Sequence, residues 1–132
     1  MDLRILEIAS HTENNRVLEN YTHKSKNKNP ICGDEMEISL LVKDDVVKDM
    51  GYQCKSCVYC QASVSLLSRK IKEKKVDDIK KFIRVGEQLF EDAKVSMEKH
   101  WKDFKEILDI KNLSRKECLL LPLRTIAKAL KI

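Results

Sequence analysis

The chain has 132 residues, of which 42% are hydrophobic and 36% are charged, and its formal net charge is +5. These values are typical of a soluble globular protein, so we expect a single domain over residues 1–132. No run approaches the roughly 20 apolar residues of a membrane span, and the first residues lack the pattern of a signal peptide. We therefore expect a cytoplasmic protein. Few aromatic residues lie among its basic residues, which argues against nucleic-acid binding.

The first predicted element is a helix. Apolar residues at helical spacing run over residues 3–21, and Asn14-Asn15 predicts a break in the middle. Residues 22–31 show no apolar periodicity and predict a loop. The lysine-rich run 24–28 in that loop is either solvated or an edge that docks an acidic partner.

A β-hairpin is predicted next. Apolar residues alternate over residues 36–42, which indicates a strand with one buried face. Residues 43–45 supply a turn, and residues 46–52 predict a second strand, antiparallel to the first. The entrance and exit of an antiparallel hairpin lie at the same end. Cys32 and Cys57 can therefore meet, although 25 positions separate them.

The remainder of the chain is predicted to be helical. Apolar spacing predicts helices over residues 62–71, 79–97 and 101–108. A last helix is predicted over residues 119–130, with Pro122 in its opening turn, where a missing N–H does little harm. A small antiparallel sheet followed by several α-helices defines an α+β domain.

Three cysteines and one aspartate are the candidate metal ligands. In a reducing compartment, the five cysteines of this chain favour metal or sulfur chemistry over disulfides. Cys57 and Cys118 each lie at a predicted helix start, where partial positive charge favours the thiolate. Three thiolates and one carboxylate suit zinc or iron held by sulfur. We therefore expect Cys32, Asp34, Cys57 and Cys118 to converge on one metal or cluster.

The spacing Cys54-x-x-Cys57-x-x-Cys60 allows another interpretation, since it is also half of a zinc ribbon or of a ferredoxin-like cluster loop. Neither motif is complete, because there is no second close cysteine pair and no Cys-Pro run. Buried cysteine is common as a small hydrophobic residue, so we expect non-ligand roles for Cys54 and Cys60. A closed structural zinc module that binds a protein or nucleic acid is a third reading.

Three motifs in order resemble the IscU/SufU/NifU N-terminal family of iron–sulfur cluster assembly proteins. They are Asn29-Pro30-x-Cys32-Gly33-Asp34, then Cys57-x4-Ala62-Ser63-x-Ser65, then Cys118 before the final helix. A fainter echo of a family motif occurs at His11-x-x-Asn14-Asn15-Arg16. Cys118 follows Cys57 by 61 positions and Arg115 lies three residues before it, which is more similar to the SufU branch.

The resemblance implies an α+β fold of the SufE/NifU-like type and a scaffold function more than an enzymatic one. It implies a metal site of Cys32, Asp34, Cys57 and Cys118, in which the three cysteines bind iron or a [2Fe–2S] cluster, or the site holds Zn²⁺. Cys118 or Cys32 would accept persulfide sulfur from a cysteine desulfurase, with Arg115 as a further functional residue. Apo iron–sulfur proteins would be the recipients. The alternative is a zinc-dependent sulfurtransferase that activates the desulfurase, and we expect a monomer or a weak homo-oligomer.

Overall fold

The computed structural model describes residues 3–31, 33–92 and 94–132, so Cys32 lies outside the described residues. Within those ranges, four antiparallel strands form one sheet in the order β1-β2-β3-β4. The strands are β1 (His23–Lys28), β2 (Glu35–Lys43), β3 (Val46–Lys55) and β4 (Lys74–Lys75). The α-helices are α1 (Leu3–Ala9), α2 (Val58–Lys70), α3 (Val76–Gln88) and α4 (Lys116–Leu130). The predicted α+β class is confirmed.

The β2–β3 hairpin has the predicted form. Asp44 and Asp45 connect the strands with φ angles of 54° and 60°, which are the left-handed values of the tight turns that suit the twist of a hairpin. At the open end, Glu35 pairs with Lys55. The residue before β2 and the residues after β3 therefore lie at one end of the sheet.

The core lies between the sheet and the helices. Helices α2 and α4 pack against each other, and α4 also packs on β1 and β2. The inner face of the hairpin is apolar because alternate residues of each strand point towards the helices. These buried residues are Met36, Ile38, Leu40, Val47, Met50 and Tyr52. Among the helices that the structure describes, none has the length and apolar character needed to cross a bilayer.

The N-terminal segment differs from the prediction. Helix α1 ends at Ala9, and no helix forms over residues 14–21 within the described chain. Instead, the segment 14–18 lies across the outer face of the sheet. The Tyr52 N–H donates to the Asn14 carbonyl at 3.1 Å, and the Leu18 N–H donates to the Ser39 hydroxyl at 3.2 Å. These tertiary contacts replace the helical hydrogen bonds that the apolar spacing suggested.

The predicted loop at residues 22–31 is also wrong, because β1 forms the edge of the sheet there. Its one buried residue is polar, so the strand has no apolar alternation to detect. That residue, Ser25, donates its hydroxyl to the Thr125 carbonyl on α4 at 2.7 Å. Lys24 and Lys26 both form ion pairs with Glu37 on the neighbouring strand.

The helical half of the chain is shorter and less regular than predicted. Helix α3 ends at Gln88 instead of residue 97, and Ala93 lies outside the described residues. The predicted helix at residues 101–108 is a 3₁₀ segment, Lys99–Glu106, and a second 3₁₀ segment spans Ile110–Arg115. Side-chain packing fixes the first segment, since the rings of Trp101 and Phe82 stack with centroids 4.2 Å apart.

Helix α4 begins at Lys116, earlier than predicted. Cys118 therefore lies in its first turn, and Pro122 lies in the second turn instead of the opening one. At this position the proline cannot donate to the Cys118 carbonyl four residues earlier, so the helix loses one of its own hydrogen bonds.

Candidate metal centre

Asp34 lies at the open end of the sheet, directly before β2, and only 5% of it is exposed. Backbone hydrogen bonds to Asn29 close the preceding loop: Gly33 N–H donates to the Asn29 carbonyl, and Asn29 N–H donates to the Asp34 carbonyl, both at 2.8 Å. The Asn29 side chain also accepts the Ile31 N–H at 3.0 Å. Gly33 has φ +75°, a left-handed value that glycine adopts without strain. The loop therefore holds the Asp34 carboxylate in a fixed, buried position.

Cys57 is the N-cap of α2 and follows the end of β3 by two residues. Its backbone N–H donates to Asp34 Oδ1 at 3.1 Å, and its thiol Sγ lies 3.5 Å from Asp34 Oδ2. The carboxylate thus satisfies one of the N–H groups at the start of the helix and also contacts the sulfur. The prediction that this end of the hairpin gathers the site agrees with these contacts.

Cys118 joins the same group from the other half of the chain. The first turn of α4 places its sulfur with Asp34 and Cys57, so that one ligand atom of each residue lies within 4.8 Å of the others. Cys118 is 5% exposed and Cys57 is partly exposed. The structure therefore brings together three of the four predicted ligands, and the position of Cys32 stays a prediction because it lies outside the described residues.

The donor set fits a thiophilic metal. Ligand atoms around a tetrahedral zinc lie about 3.3–3.8 Å apart, given metal–ligand bonds of about 2.0–2.3 Å. The observed limit of 4.8 Å means that side-chain adjustments of about an ångström would suffice to close the site. Two sulfurs and one carboxylate oxygen match zinc or iron held by sulfur, and they do not match the all-oxygen shell of Ca²⁺ or Mg²⁺.

Arg115 is the N-cap of α4 and lies three residues before Cys118 in the sequence. Its guanidinium carbon lies 5.2 Å from the centroid of the Tyr59 ring, which is the distance of a cation–π contact. The side chain is exposed, so the charge is available to a partner as well as to the ring.

Cys54 and Cys60 have a different environment. Burial raises the pKa of the Cys54 thiol, and it raises the pKa of the Cys60 thiol much further. Cys60 is fully buried and belongs to the apolar core. Metals bind the thiolate, so the raised pKa values disfavour ligation by these two residues, and neither belongs to the group of Asp34, Cys57 and Cys118. Their non-ligand roles stay a prediction.

Sequence reasoning missed two contacts of α2 that border the centre. Tyr59 was not singled out, although a cation–π partner for Arg115 must be an aromatic residue. Ser63 belongs to the second motif, but no partner could be predicted for it; its hydroxyl donates to the Leu119 carbonyl on α4 at 2.7 Å. Only the spacing of the two residues, four positions apart on one helical face, could have indicated a shared role.

Comparison with known proteins identifies the family. The sequence model of the NifU-like N terminal domain matches residues 2–109. The iron-sulfur cluster assembly scaffold protein IscU of Thermotoga maritima is 33% identical over 133 residues, which covers 96% of this chain and 89% of that protein. This chain therefore belongs to the NifU-like N-terminal domain family.

Solved structures show the same fold. A NifU-like N-terminal protein from Brucella abortus superposes with a TM-score of 0.90 at 22% identity, covering 98% of this chain and 91% of that one. A putative scaffold protein for the SUF system from Fervidobacterium islandicum also gives a TM-score of 0.90, at 24% identity, with coverage of 98% and 96%. The predicted resemblance to this family is confirmed, and so is its fold.

Proposed function

We propose that this chain is a scaffold on which iron–sulfur clusters are assembled, with Cys32, Asp34, Cys57 and Cys118 as the binding set. One observation carries the proposal: the ligand atoms of Asp34, Cys57 and Cys118 lie within 4.8 Å of one another, although the two cysteines are 61 positions apart. The family relationship supports it, since the relative from Thermotoga is named for this role. Iron and sulfur are then the cargo of the site.

The proposed sulfur delivery is a thiol exchange. A thiolate of Cys118 or Cys32 attacks the terminal sulfur of a persulfide on a cysteine desulfurase. The S–S bond of the donor breaks, the desulfurase cysteine leaves as a thiolate, and a new persulfide forms on the scaffold. Atoms and electrons balance without an added oxidant or reductant. The N-terminus of α4 favours the attacking thiolate of Cys118, because unpaired N–H groups there carry partial positive charge.

Asp34 has two roles in this proposal. Its carboxylate accepts the Cys57 N–H and so fixes the start of α2. It also supplies an oxygen ligand, which exchanges more readily than a thiolate and suits a site that passes its cargo to apo iron–sulfur proteins.

A second candidate function is that of a zinc-dependent sulfurtransferase, which takes sulfur from the desulfurase and builds no cluster. The donor set favours it, because two sulfurs and one carboxylate oxygen match a tetrahedral zinc site as well as an iron site. Exposed Arg115, three residues before Cys118, would serve both candidates by binding an acidic surface of the sulfur donor. In this case the resident ion would be Zn²⁺, and the same four side chains would hold it.

Anaerobic reconstitution tests the proposal. The protein is incubated with ferrous iron, L-cysteine and a cysteine desulfurase, and bound iron, bound sulfide and the visible spectrum are measured. The variants are Cys32→Ser, Cys57→Ser and Cys118→Ser, and Cys54→Ser is the matched control. We expect a coloured protein from the wild type and from the control, and loss of iron and sulfide in the three variants.

The outcomes separate the candidates. A colourless protein that retains zinc and accelerates the desulfurase would favour the sulfurtransferase. Retention of metal by all three serine variants would remove both functions, because no centre would then depend on these thiols. If the bound zinc resists chelators and the protein accepts no sulfur, the chain is a structural zinc module.

A further inference from the structure

Two side chains of α2 contact the beginning of α4. Ser63 donates its hydroxyl to the Leu119 carbonyl at 2.7 Å, and both residues are buried. One turn earlier on α2, the ring of Tyr59 lies under the Arg115 guanidinium at 5.2 Å. Because residues four apart share one face of a helix, the two contacts form a single pair, which we call the α2–α4 clamp.

The two contacts of the clamp lie on either side of Cys118 in the sequence of α4, and on α2 they lie close to Cys57. Arg115 lies three residues before Cys118, and Leu119 is the residue after it. On the other helix, Cys57 is the N-cap and Tyr59 the second residue. A change at either contact therefore alters the placement of Cys118 relative to Cys57.

The first turn of α4 has one intrahelical hydrogen bond fewer than an ordinary helix start. Pro122 has no N–H, so it cannot donate to the Cys118 carbonyl as a normal residue at this position would. The next carbonyl along, that of Leu119, is the one that Ser63 reaches. The clamp thus acts beside the position where the helix's own hydrogen bonding is weakened.

We propose that Tyr59 and Ser63 are positioning residues, which hold the Cys118 sulfur at ligand distance from Cys57 and thereby set the affinity of the metal centre. The inference rests on the proposed function, because it concerns the same site. Mutation of residues that orient metal ligands without touching the metal commonly lowers the affinity for the metal about 10–100-fold.

A merely structural role for Ser63 is the competing explanation, and α2 provides a matched control. Ser65 lies on the same helix, is equally buried, and also donates to backbone carbonyls, those of Ile8 and His11, at 3.0 and 2.5 Å. Those carbonyls belong to α1 and the segment after it, so Ser65 has no contact with α4 in the hydrogen bonds described. Ser65 also hydrogen bonds with the Tyr52 side chain on β3, so Ser65→Ala removes more contacts than Ser63→Ala, on the opposite side of α2. A metal affinity that falls only in Ser63→Ala is therefore not explained by a general loss of hydrogen bonds.

The first measurement is Zn²⁺ affinity, by competition with a chelator. We expect Ser63→Ala and Tyr59→Leu to weaken binding about tenfold. Ser65→Ala and Tyr59→Phe should bind as the wild type, since phenylalanine keeps the ring face that Arg115 contacts. Equal weakening by Ser63→Ala and Ser65→Ala, or none by Ser63→Ala and Tyr59→Leu, would overturn the proposal.

The second measurement uses the metal-free protein. Alkylation by iodoacetamide is followed at each cysteine by mass spectrometry, with fully buried Cys60 as the internal reporter of global opening. Ser63→Ala should raise the labelling rate of Cys118 relative to Cys60 severalfold. Ser65→Ala should raise both rates in parallel, because it loosens the whole fold. An unchanged ratio in Ser63→Ala would contradict the clamp.

The zinc-affinity and alkylation measurements together distinguish a failure of the proposed function from a failure of the clamp. If the wild type binds neither zinc nor iron, the proposed function fails, while the alkylation ratio still tests whether the clamp fixes Cys118. If the wild type binds metal and both arms show no difference between Ser63→Ala and Ser65→Ala, the clamp is wrong and the metal centre stands.

Discussion

The cysteines that the structure describes differ in whether their sulfur lies beside the Asp34 carboxylate. Cys57 caps a helix at the rim of the centre, whereas Cys60, three residues later, lies in the apolar core. Cys54 on β3 is partly buried, and burial raises the pKa of both Cys54 and Cys60. One Cys-x-x-Cys-x-x-Cys run thus places its cysteines in different environments, and only its middle member is near Asp34 and Cys118.

Substitutions of Cys54 and Cys60 test whether only Cys57 of this run is a metal ligand. Cys54→Ser and Cys60→Ala should retain the wild-type content of zinc or iron, since neither thiol is in the ligand group. Cys60→Ala should lower the free energy of unfolding by about 1 kcal/mol, because it removes one buried heavy atom and leaves a small cavity. Elemental analysis and urea unfolding measure the two effects. If Cys60→Ala loses the metal while it remains folded, Cys60 is a ligand and the prediction is wrong.

Gly51 tests the packing on the outer face of the sheet. A Cβ at this position would lie 2.3 Å from the Arg16 carbonyl oxygen, which is backbone and cannot turn aside. Gly51→Ala should therefore destabilise the fold by about 1–3 kcal/mol in urea unfolding.

Gly86 on α3 is the matched control for that substitution. Its Cβ would meet the end of the flexible Leu123 side chain at 2.8 Å, and alanine is the better helix former. Gly86→Ala should cost less than Gly51→Ala. The reverse order would mean that the segment 14–18 is not held closely against the sheet.

At the scale of elements, the segment 14–18 is the part of the fold that the sequence pattern misrepresents. Its contacts are polar: Arg16 donates to both carboxylate oxygens of Asp49 at 2.9 and 3.1 Å, and Lys72 donates to the Asn14 side chain at 2.9 Å. Polar contacts across 33 or more positions leave no periodic signal in the sequence, so helical spacing of a few apolar residues suggested the wrong element.

The Asp49 contacts predict a pH dependence of stability. Burial alone would raise the pKa of this carboxyl group, but the Arg16 guanidinium, the Met50 N–H and Lys72 together lower it. A lowered pKa in the folded state contributes stability above the unfolded value of about 3.9, and that contribution disappears as the pH falls through the folded value.

Asp49→Asn should therefore destabilise the protein at pH 7 and lose its effect as the pH falls below the lowered pKa of the folded wild type, where that carboxyl group is also protonated. The pair is solvent-exposed, so the expected cost at pH 7 is only about 0.2–1 kcal/mol. Thermal unfolding of both proteins across this pH range measures it. A difference that is constant from pH 7 to pH 2 would contradict an ionic origin.

At the scale of the whole molecule, the sequence predicted what short-range patterns can encode. The alternation in β2, its turn and the hairpin geometry predicted that Cys32 and Cys57 can meet at one end of the sheet, and the structure places Asp34, two residues after Cys32, beside Cys57 at that end. The edge strand β1 was missed because its buried residue is a serine bonded to α4. The 3₁₀ segment Lys99–Glu106 was predicted as an α-helix because its buried residues, Trp101 and Phe104, are three positions apart, a spacing that both kinds of helix place on one face.

The candidate ligands could be proposed from the sequence, but two neighbouring side chains on α2 could not. Helix-start chemistry and the family motifs named Cys57 and Cys118 before the fold was known. Tyr59 and Ser63 could not be found in this way, because their contacts depend on how α2 packs against α4. That packing is set by the core as a whole and not by any local pattern.

We expect Cys57 and Cys118 to ligate one metal ion together with Asp34 and Cys32. Substitution with Co²⁺ tests it most directly, since thiolate-to-cobalt charge-transfer absorption reports how many thiolates are bound. We predict that the absorption falls by a similar step in Cys57→Ser and in Cys118→Ser, and that it is unchanged in Cys54→Ser. Spectra of Cys57→Ser and Cys118→Ser that match the wild type would contradict a shared centre.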